Sequence, residues 1–241
     1  MAGALTMRGE LIIFGVGPRG VSQLTLEALE ALKRCDEVFG TVHQEALARF
    51  CRGFGLKYTG FDWGGVYGAK RRKVPAGQVA GAVLRGLSRG RRIGVAVTGS
   101  PALFSLADEL IGRCRGKGHP CRVFASVGSL EQVLVALKFR FGDTFADGFA
   151  VYNVESVQPS AMTLGPGFSV LLYNMGSLRR HSPVRFRRLR DRLKKAYGRD
   201  GKAFLVECSP EEDAILASSP GRLETDLSRV GINATVCLPA E

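Results

Sequence analysis

No uninterrupted hydrophobic run in this 241-residue sequence approaches the roughly 20 residues that a bilayer-spanning helix needs. The opening MAGALTMRGE also lacks the apolar stretch of a secretory signal, so a cytoplasmic protein is expected, with no membrane partner. Histidine is scarce: His43, His119 and His181 occur singly, and no Ser-His-Asp, Cys-His or paired-carboxylate arrangement stands out. The six cysteines include no Cys-x-x-Cys pair. Cys114 and Cys121 are seven apart with His119 between them, a poor zinc spacing, so no metal is expected and the thiols read as reduced, packed hydrophobes. Aromatics are only 8% of the chain and form no aromatic-basic stacking platform, which makes nucleic acid an unfavoured partner despite the charge. Neither a fixed-period repeat nor a low-complexity tail is present.

What the chain does have is an ordinary globular balance, 45% hydrophobic and 23% charged, with length for one large domain or two small ones. Its net charge is +12, dominated by arginine and scattered along the sequence, which reads as a solvated basic surface in preference to an anion-binding tail.

The apolar run LIIFGVG (11–17) ends in glycine and predicts a buried strand. LTLEALEALKRCDEVFG follows with Leu24, Leu26, Leu29, Leu32 and Val38 near helical spacing. Residues 57–75, rich in glycine, aromatics and base, read as a functional loop, and 78–90 as an amphipathic helix. Residues 92–105 give a second strand and turn, followed by the helix LADELIGRCRGKG, and residues 121–139 repeat strand, small-residue turn and helix. Three such units in series predict a mostly parallel sheet covered by helices, with ligands at the carboxyl ends of its strands. The turns at 15–20, 98–102 and 126–129 would then share one edge. After the Gly-Pro-Gly break at 165–167 come a strand (168–177), a basic helix (185–198) and strands at 202–209 and 234–240, which fit a second, smaller α/β domain with mixed strands. The domains are expected at 1–124 and 125–241, or with the boundary near 165.

A lone Gly-x-Gly-Pro turn is a weak signal, and no Gly-Lys-[Ser/Thr] follows to make it a P-loop. The series V-G-P, then T-G-S-P-A-L-F (98–104), S-V-G-S-L (126–130) and L-L-Y-N-M-G (171–176) resembles the tetrapyrrole methylase superfamily, the class III S-adenosylmethionine-dependent methyltransferases. The resemblance covers about 11 to 239. In that family the first turn is usually Gly-x-Gly-Pro-Gly and the second Gly-His-Pro-Gly; here Arg19 replaces the last glycine of the first, and Ser100 and Ala102 replace the histidine and the last glycine of the second. The resemblance implies two α/β domains with the cofactor folded in the cleft between them, and a homodimer. It implies cofactor contacts at Gly99, Ser100, Pro101, Ala102 and Leu103, at Ser129, and at Tyr173, Asn174 and Met175. Gly15, Gly17 and Pro18 would help to form the adjoining substrate trough. The donor would leave as S-adenosylhomocysteine, and aligning the nucleophile with the methyl group is the enzyme's main task, so a missing acid–base site is no obstacle.

Within the superfamily, three stretches resemble the borosins, which methylate backbone amides of a peptide: VYGAKRRKVPAGQV (66–79), LKKAYGRDGKAFLVECS (193–209) and INATVCLPAE (232–241). An amide N–H is a very weak acid whose nitrogen lone pair is delocalised, so its methylation needs a base and a cation for the carbonyl oxygen. The resemblance assigns these roles to Tyr67 and Arg72, with Arg71 as a substrate-binding neighbour; the pattern's second tyrosine falls on Ala76. As the sequence closes at Glu241 after its last strand, the expected substrate is a separate precursor peptide. The basic helix at 185–195 and Arg179, Arg180, Arg188 and Arg190 would recognise an acidic leader or form a solvated face, the latter being preferred. Methylation of a tetrapyrrole, methylation of RNA ribose, and a non-catalytic scaffold role remain alternatives.

Overall fold

The computed structural model describes residues 9–41, 45–61, 73–105, 107–142, 148–209 and 211–240. These fall into two compact units, the first running to Ser129 and the second starting at Leu130. Among the described residues no helix is long and apolar enough to cross a membrane.

The first unit is a five-stranded sheet in the order β3-β2-β4-β1-β5, every pair parallel. Its strands are β1 (Leu11–Gly15), β2 (Glu37–Thr41), β3 (Lys57–Phe61), β4 (Ile93–Val97) and β5 (Cys121–Phe124). All five residues of β1 and of β4 are buried, because a central parallel strand is covered on both faces. Side chains alternate across the sheet. Ile12 and Phe14 pack with α1 (Leu26–Leu32) and α2 (Glu45–Gly53) on one face. Leu11 and Ile13 pack with α3 (Lys73–Leu87) and α4 (Ala107–Arg115) on the other.

This layering follows from the handedness of parallel crossovers. Chain leaving β1 and β2 steps one way along the sheet, through α1 and α2; chain leaving β3 and β4 steps back, through α3 and α4. The direction reverses between β4 and β1. In sheets of this kind ligands bind at the carboxyl ends of the strands near such a reversal.

Two expectations need correction here. The helical spacing read from Leu24 to Val38 is not one helix: α1 ends at Leu32, and Glu37 to Thr41 form β2. The cause lies 56 residues away, where Arg92 N donates to Asp36 Oδ2 at 2.6 Å and Asp36 N donates to Arg92 O at 2.8 Å, drawing the chain into the sheet. The segment read as a loop from 57 likewise begins as β3, an edge strand beside β2.

The second unit has the order β6-β7-β10-β8-β9. Here β6 (Phe149–Asn153) runs parallel to β7 (Ser169–Tyr173), while β8 (Ala203–Glu207), β9 (Ala214–Ser218) and β10 (Thr235–Leu238) make antiparallel pairs. The Gly165–Gly167 break lies inside this unit, between two paired strands. Val133 and Leu137 of α5 (Ser129–Phe141) cover one face with Leu171, Tyr173, Phe204 and Val206. The other face is covered by α6 (Met175–His181), α7 (Pro183–Tyr197) and α8 (Leu223–Asp226), with Phe186, Leu189 and Leu193 against Val170, Leu172 and Leu205. The basic α7 is thus amphipathic: its apolar stripe is core, Arg187 and Arg188 are exposed, and Arg185, Arg190 and Arg192 are half-buried.

Candidate active site

In the first unit, the turns after β1, β4 and β5 meet. Gly15 closes β1 so tightly against its neighbours that an added Cβ would lie 2.0 Å from Gly99 O and 2.1 Å from Ser126 Oγ. Only hydrogen fits there. One residue on, Val16 N donates to Val97 O at 3.0 Å, and Gly17 and Gly99 then pair in an isolated antiparallel bridge. Both have left-handed backbones, φ +67° and +75°, which glycine adopts without the clash a Cβ would cause. Behind Gly17, Gln23 folds back and its Oε1 accepts from Arg19 N at 2.8 Å. Ser126 Oγ donates to Gly99 O at 3.1 Å, which ties the β5 turn to the same point.

Gly99 is buried, stitched tightly on one side and loosely packed on the other. Among the described residues, a Cβ placed on it would find nothing nearer than the backbone nitrogen of Ser129, at 3.9 Å, the first residue of α5. The rest of the β4 turn is held by its own side chains. Ala102 N donates to Ser100 Oγ at 3.2 Å, and Ser105 Oγ donates to Pro101 O at 2.7 Å while accepting from Ala107 N at 3.0 Å. Pro101 is buried, Ser100, Leu103 and Ser129 are half-buried, and Ala102 is exposed. Pro18 follows Gly17 in the turn and is half-buried. Gly15, Gly17, Gly99 and Ser129, singled out from sequence, are therefore neighbours. Two contributors escaped the sequence reading. Gln23 carries no motif; Ser126 stood within the small-residue turn, but its partner lies 27 residues away.

In the second unit, Tyr173, Asn174 and Met175 mark the carboxyl end of β7. Asn174 is left-handed, φ +66°, and precedes α6. Its Nδ2 donates to Asn153 Oδ1 at 3.0 Å, and the same oxygen accepts from Glu155 N at 3.1 Å. Ser177 Oγ in turn donates to Glu155 Oε1, and Arg185 Nη1 donates to Glu155 O at 2.8 Å. The ends of β6 and β7 are thus locked together by side chains, which keeps an asparagine in a conformation that most residues avoid. Tyr67, Arg71 and Arg72 lie outside the described residues.

A sequence profile of the tetrapyrrole (corrin/porphyrin) methylases matches residues 10–217. The chain belongs to the tetrapyrrole methylase family. It is accordingly a methyltransferase that uses S-adenosylmethionine, the methyl donor of that family. The methyltransferase is 23% identical over 201 residues to a protein of Anomoporia bombycina described as a methyltransferase/ribosomally synthesized type III borosin cyclic peptide precursor. That match takes in 80% of this chain and spans 23% of the relative's length. Among solved structures it is similar to the methyltransferase CobJ, with a TM-score of 0.69 and 18% identity over 96% of this chain and 94% of that one. It is also similar to the uroporphyrin-III-C-methyltransferase from Thermus thermophilus, with a TM-score of 0.70 and 19% identity over 97% and 93% of the two chains. At such identities the likeness is one of fold, and it extends through both units.

The titrating groups of clear physical interest stand away from these turns. Glu37 at the start of β2 is 5% exposed. Burial pushes its carboxyl up, but Lys57 at 2.9 Å, Thr59 at 2.9 Å and Arg91 at 3.1 Å outweigh that and hold it below its ordinary value. Burial raises the Cys35 thiol to about 12 and those of Cys51 and Cys114 to about 11. Among the described residues no group of three histidines, cysteines or carboxylates is placed to hold a metal.

Proposed function

We propose that this methyltransferase transfers a methyl group to a backbone amide nitrogen of a separate precursor peptide, in the manner of the borosins. The observation that carries the cofactor part is the loosely packed flank of Gly99. The residue is buried, yet among the described residues nothing but the Ser129 amide nitrogen, at 3.9 Å, lies within 4 Å of the space a Cβ would occupy. A donor with carboxylate, amine and ribose groups suits a surface of this kind, where main-chain groups reach a ligand closely. Gly99 to Leu103 and Ser129 would hold it, and Tyr173 to Met175 would supply contacts from the second unit. When bound, S-adenosylmethionine supplies an electrophilic methyl group and departs as S-adenosylhomocysteine.

The chain's own residues have three tasks. The Gly15–Pro18 turn presents the peptide. Tyr67, as phenolate, takes the amide proton, so that the nitrogen's electron pair is free to form the new N–C bond. Arg72 stabilises the negative charge that builds on the carbonyl oxygen, and Arg71 helps to bind the substrate. Support for a peptide substrate comes from the borosin relative and from the 66–79 segment, a combination that favours it over a tetrapyrrole.

The test is co-expression with a candidate precursor peptide, followed by tandem mass spectrometry. A mass gain of one or more methyl groups on backbone nitrogen is expected. Methylation of a porphyrinoid and not of any peptide would overturn the peptide reading and leave the family intact. No calorimetric heat with millimolar S-adenosylmethionine would overturn the cofactor assignment.

A further inference from the structure

The second unit carries a basic hollow of about 550 Å³ walled by α6, α7 and α8. Arg179, Arg180 and Arg187 line its sides. Its apolar lining comes from Phe186, Leu227, Val230 and Ile232. The hollow exists because α6 lies hard against the chain before β10: a Cβ on Gly176 would come within 2.7 Å of Ile232 O. That contact fixes the helix and leaves its arginines along an edge.

The charges there are not balanced from within. Glu224 is the carboxylate at the rim, and it is already bound through Oε2 by Arg190 Nη1. Arg179 gives Nη1 to the Glu224 backbone oxygen at 3.2 Å, which holds its guanidinium at the wall of the hollow. Three guanidinium groups around a hollow whose lining carboxylate is already engaged favour an anion with several acceptor oxygens.

We propose that this hollow docks an acidic, aliphatic segment of a polypeptide, with carboxylates on the arginines and an aliphatic side chain over Val230 and Ile232. It rests on the peptide reading above in one respect: the natural occupant would be the substrate's recognition segment, held apart from the methylated residues. Carboxylates match the forked donors of arginine, and the aliphatic lining gives the neighbouring side chain a place to bury. Nucleic acid suits the hollow less well, because its one aromatic, Phe186, is 1% exposed and offers no face for stacking a base.

The probe is a fluorescein-labelled synthetic peptide of alternating glutamate and leucine, titrated with the full chain and followed by anisotropy. Arg180→Glu/Arg187→Glu changes two exposed side chains of the hollow, and Arg89→Glu/Arg115→Glu makes the same charge change on exposed positions of the first unit. The hollow variant is expected to weaken binding at least roughly tenfold and the control less than about twofold, with binding weakening as salt rises. Replacing the peptide's leucines by serine is expected to weaken it too. Equal loss in both double variants, no binding at all, or displacement of the peptide by oligouridylate or inorganic phosphate at equal concentration would each overturn the proposal. Calorimetry with S-adenosylmethionine on the same variants separates the two readings. Donor heat that persists while peptide affinity falls supports the docking site; loss of donor heat in the hollow variant overturns its separation from the catalytic turns.

Discussion

Gly15→Ala adds a single methyl group at the point where three turns converge. The residue lies in β1, where alanine suits the backbone, so the effect is steric and not conformational. The new Cβ would stand 2.0 Å from Gly99 O, 2.1 Å from Ser126 Oγ and 2.9 Å from Ser126 Cβ. Carbon and oxygen need more than 3 Å, so the Gly99 carbonyl must retreat by roughly 1 Å, since main chain cannot swing aside as a side chain can. Overpacking of this kind costs about 1–3 kcal/mol, within a total stability of about 5–15 kcal/mol, so the protein stays folded with a melting temperature lowered by several degrees. Displacing a positioned element by about 1 Å can cost on the order of 100-fold in rate. The variant should therefore keep its circular dichroism spectrum while losing donor affinity and turnover by one to two orders of magnitude, read by calorimetry and by methyl incorporation. Adding Ser126→Gly removes two of the three overlaps but leaves the backbone one, so it restores part of the loss at most. If Gly15→Ala binds S-adenosylmethionine as tightly as the natural chain while melting lower, the β4 turn does not hold the donor and the site assignment fails.

Tyr67→Phe should abolish peptide methylation and leave donor heat unchanged, since only the proton acceptor is removed; undiminished turnover would take Tyr67 out of the mechanism. Glu37→Gln should cost about 1–3 kcal/mol at pH 7 in urea unfolding, as three donors lose their charged acceptor. Because the folded carboxyl titrates below its ordinary value of 4.5, its contribution is complete above that value and fades as pH falls through the folded one. The gap between Glu37→Gln and the natural chain should accordingly close in acid; a gap that widens there would refute the assignment. In native protein at pH 8, Cys35, Cys51, Cys114 and Cys237 should resist a maleimide until denaturant is added, as all four are buried and burial raises each thiol. Peptide mapping that finds Cys35 labelled before Cys121 or Cys208 would contradict the packing of the first unit.

The elements that the sequence displayed clearly are those whose cause is local. The runs 11–15, 93–97 and 169–173 are apolar apart from Ser169 and become central strands with every residue buried. The basic helix was visible in its spacing of Phe186, Leu189 and Leu193. β2 was not, since its strand character depends on Asp36 meeting Arg92 across 56 residues while the apolar spacing continues the helix pattern. β9 was missed for a related reason: as the edge strand beside β8, with two of its five residues exposed and none buried, it carries no strong pattern. At the candidate site the glycines were legible because backbone geometry demands them. The tie from Ser126 to Gly99 and the brace from Gln23 were not, because they exist only once the sheet brings the turns together.

The Gly17–Gly99 bridge joins two chain segments that immediately part company, one heading to the α1 side of the sheet and the other to the α4 side. It works as a rivet through the layer. Loosening packing under either set of helices pulls on the same joint, so damage on opposite sides of the sheet should converge on one functional defect, and repairs made on one side should offset injuries made on the other.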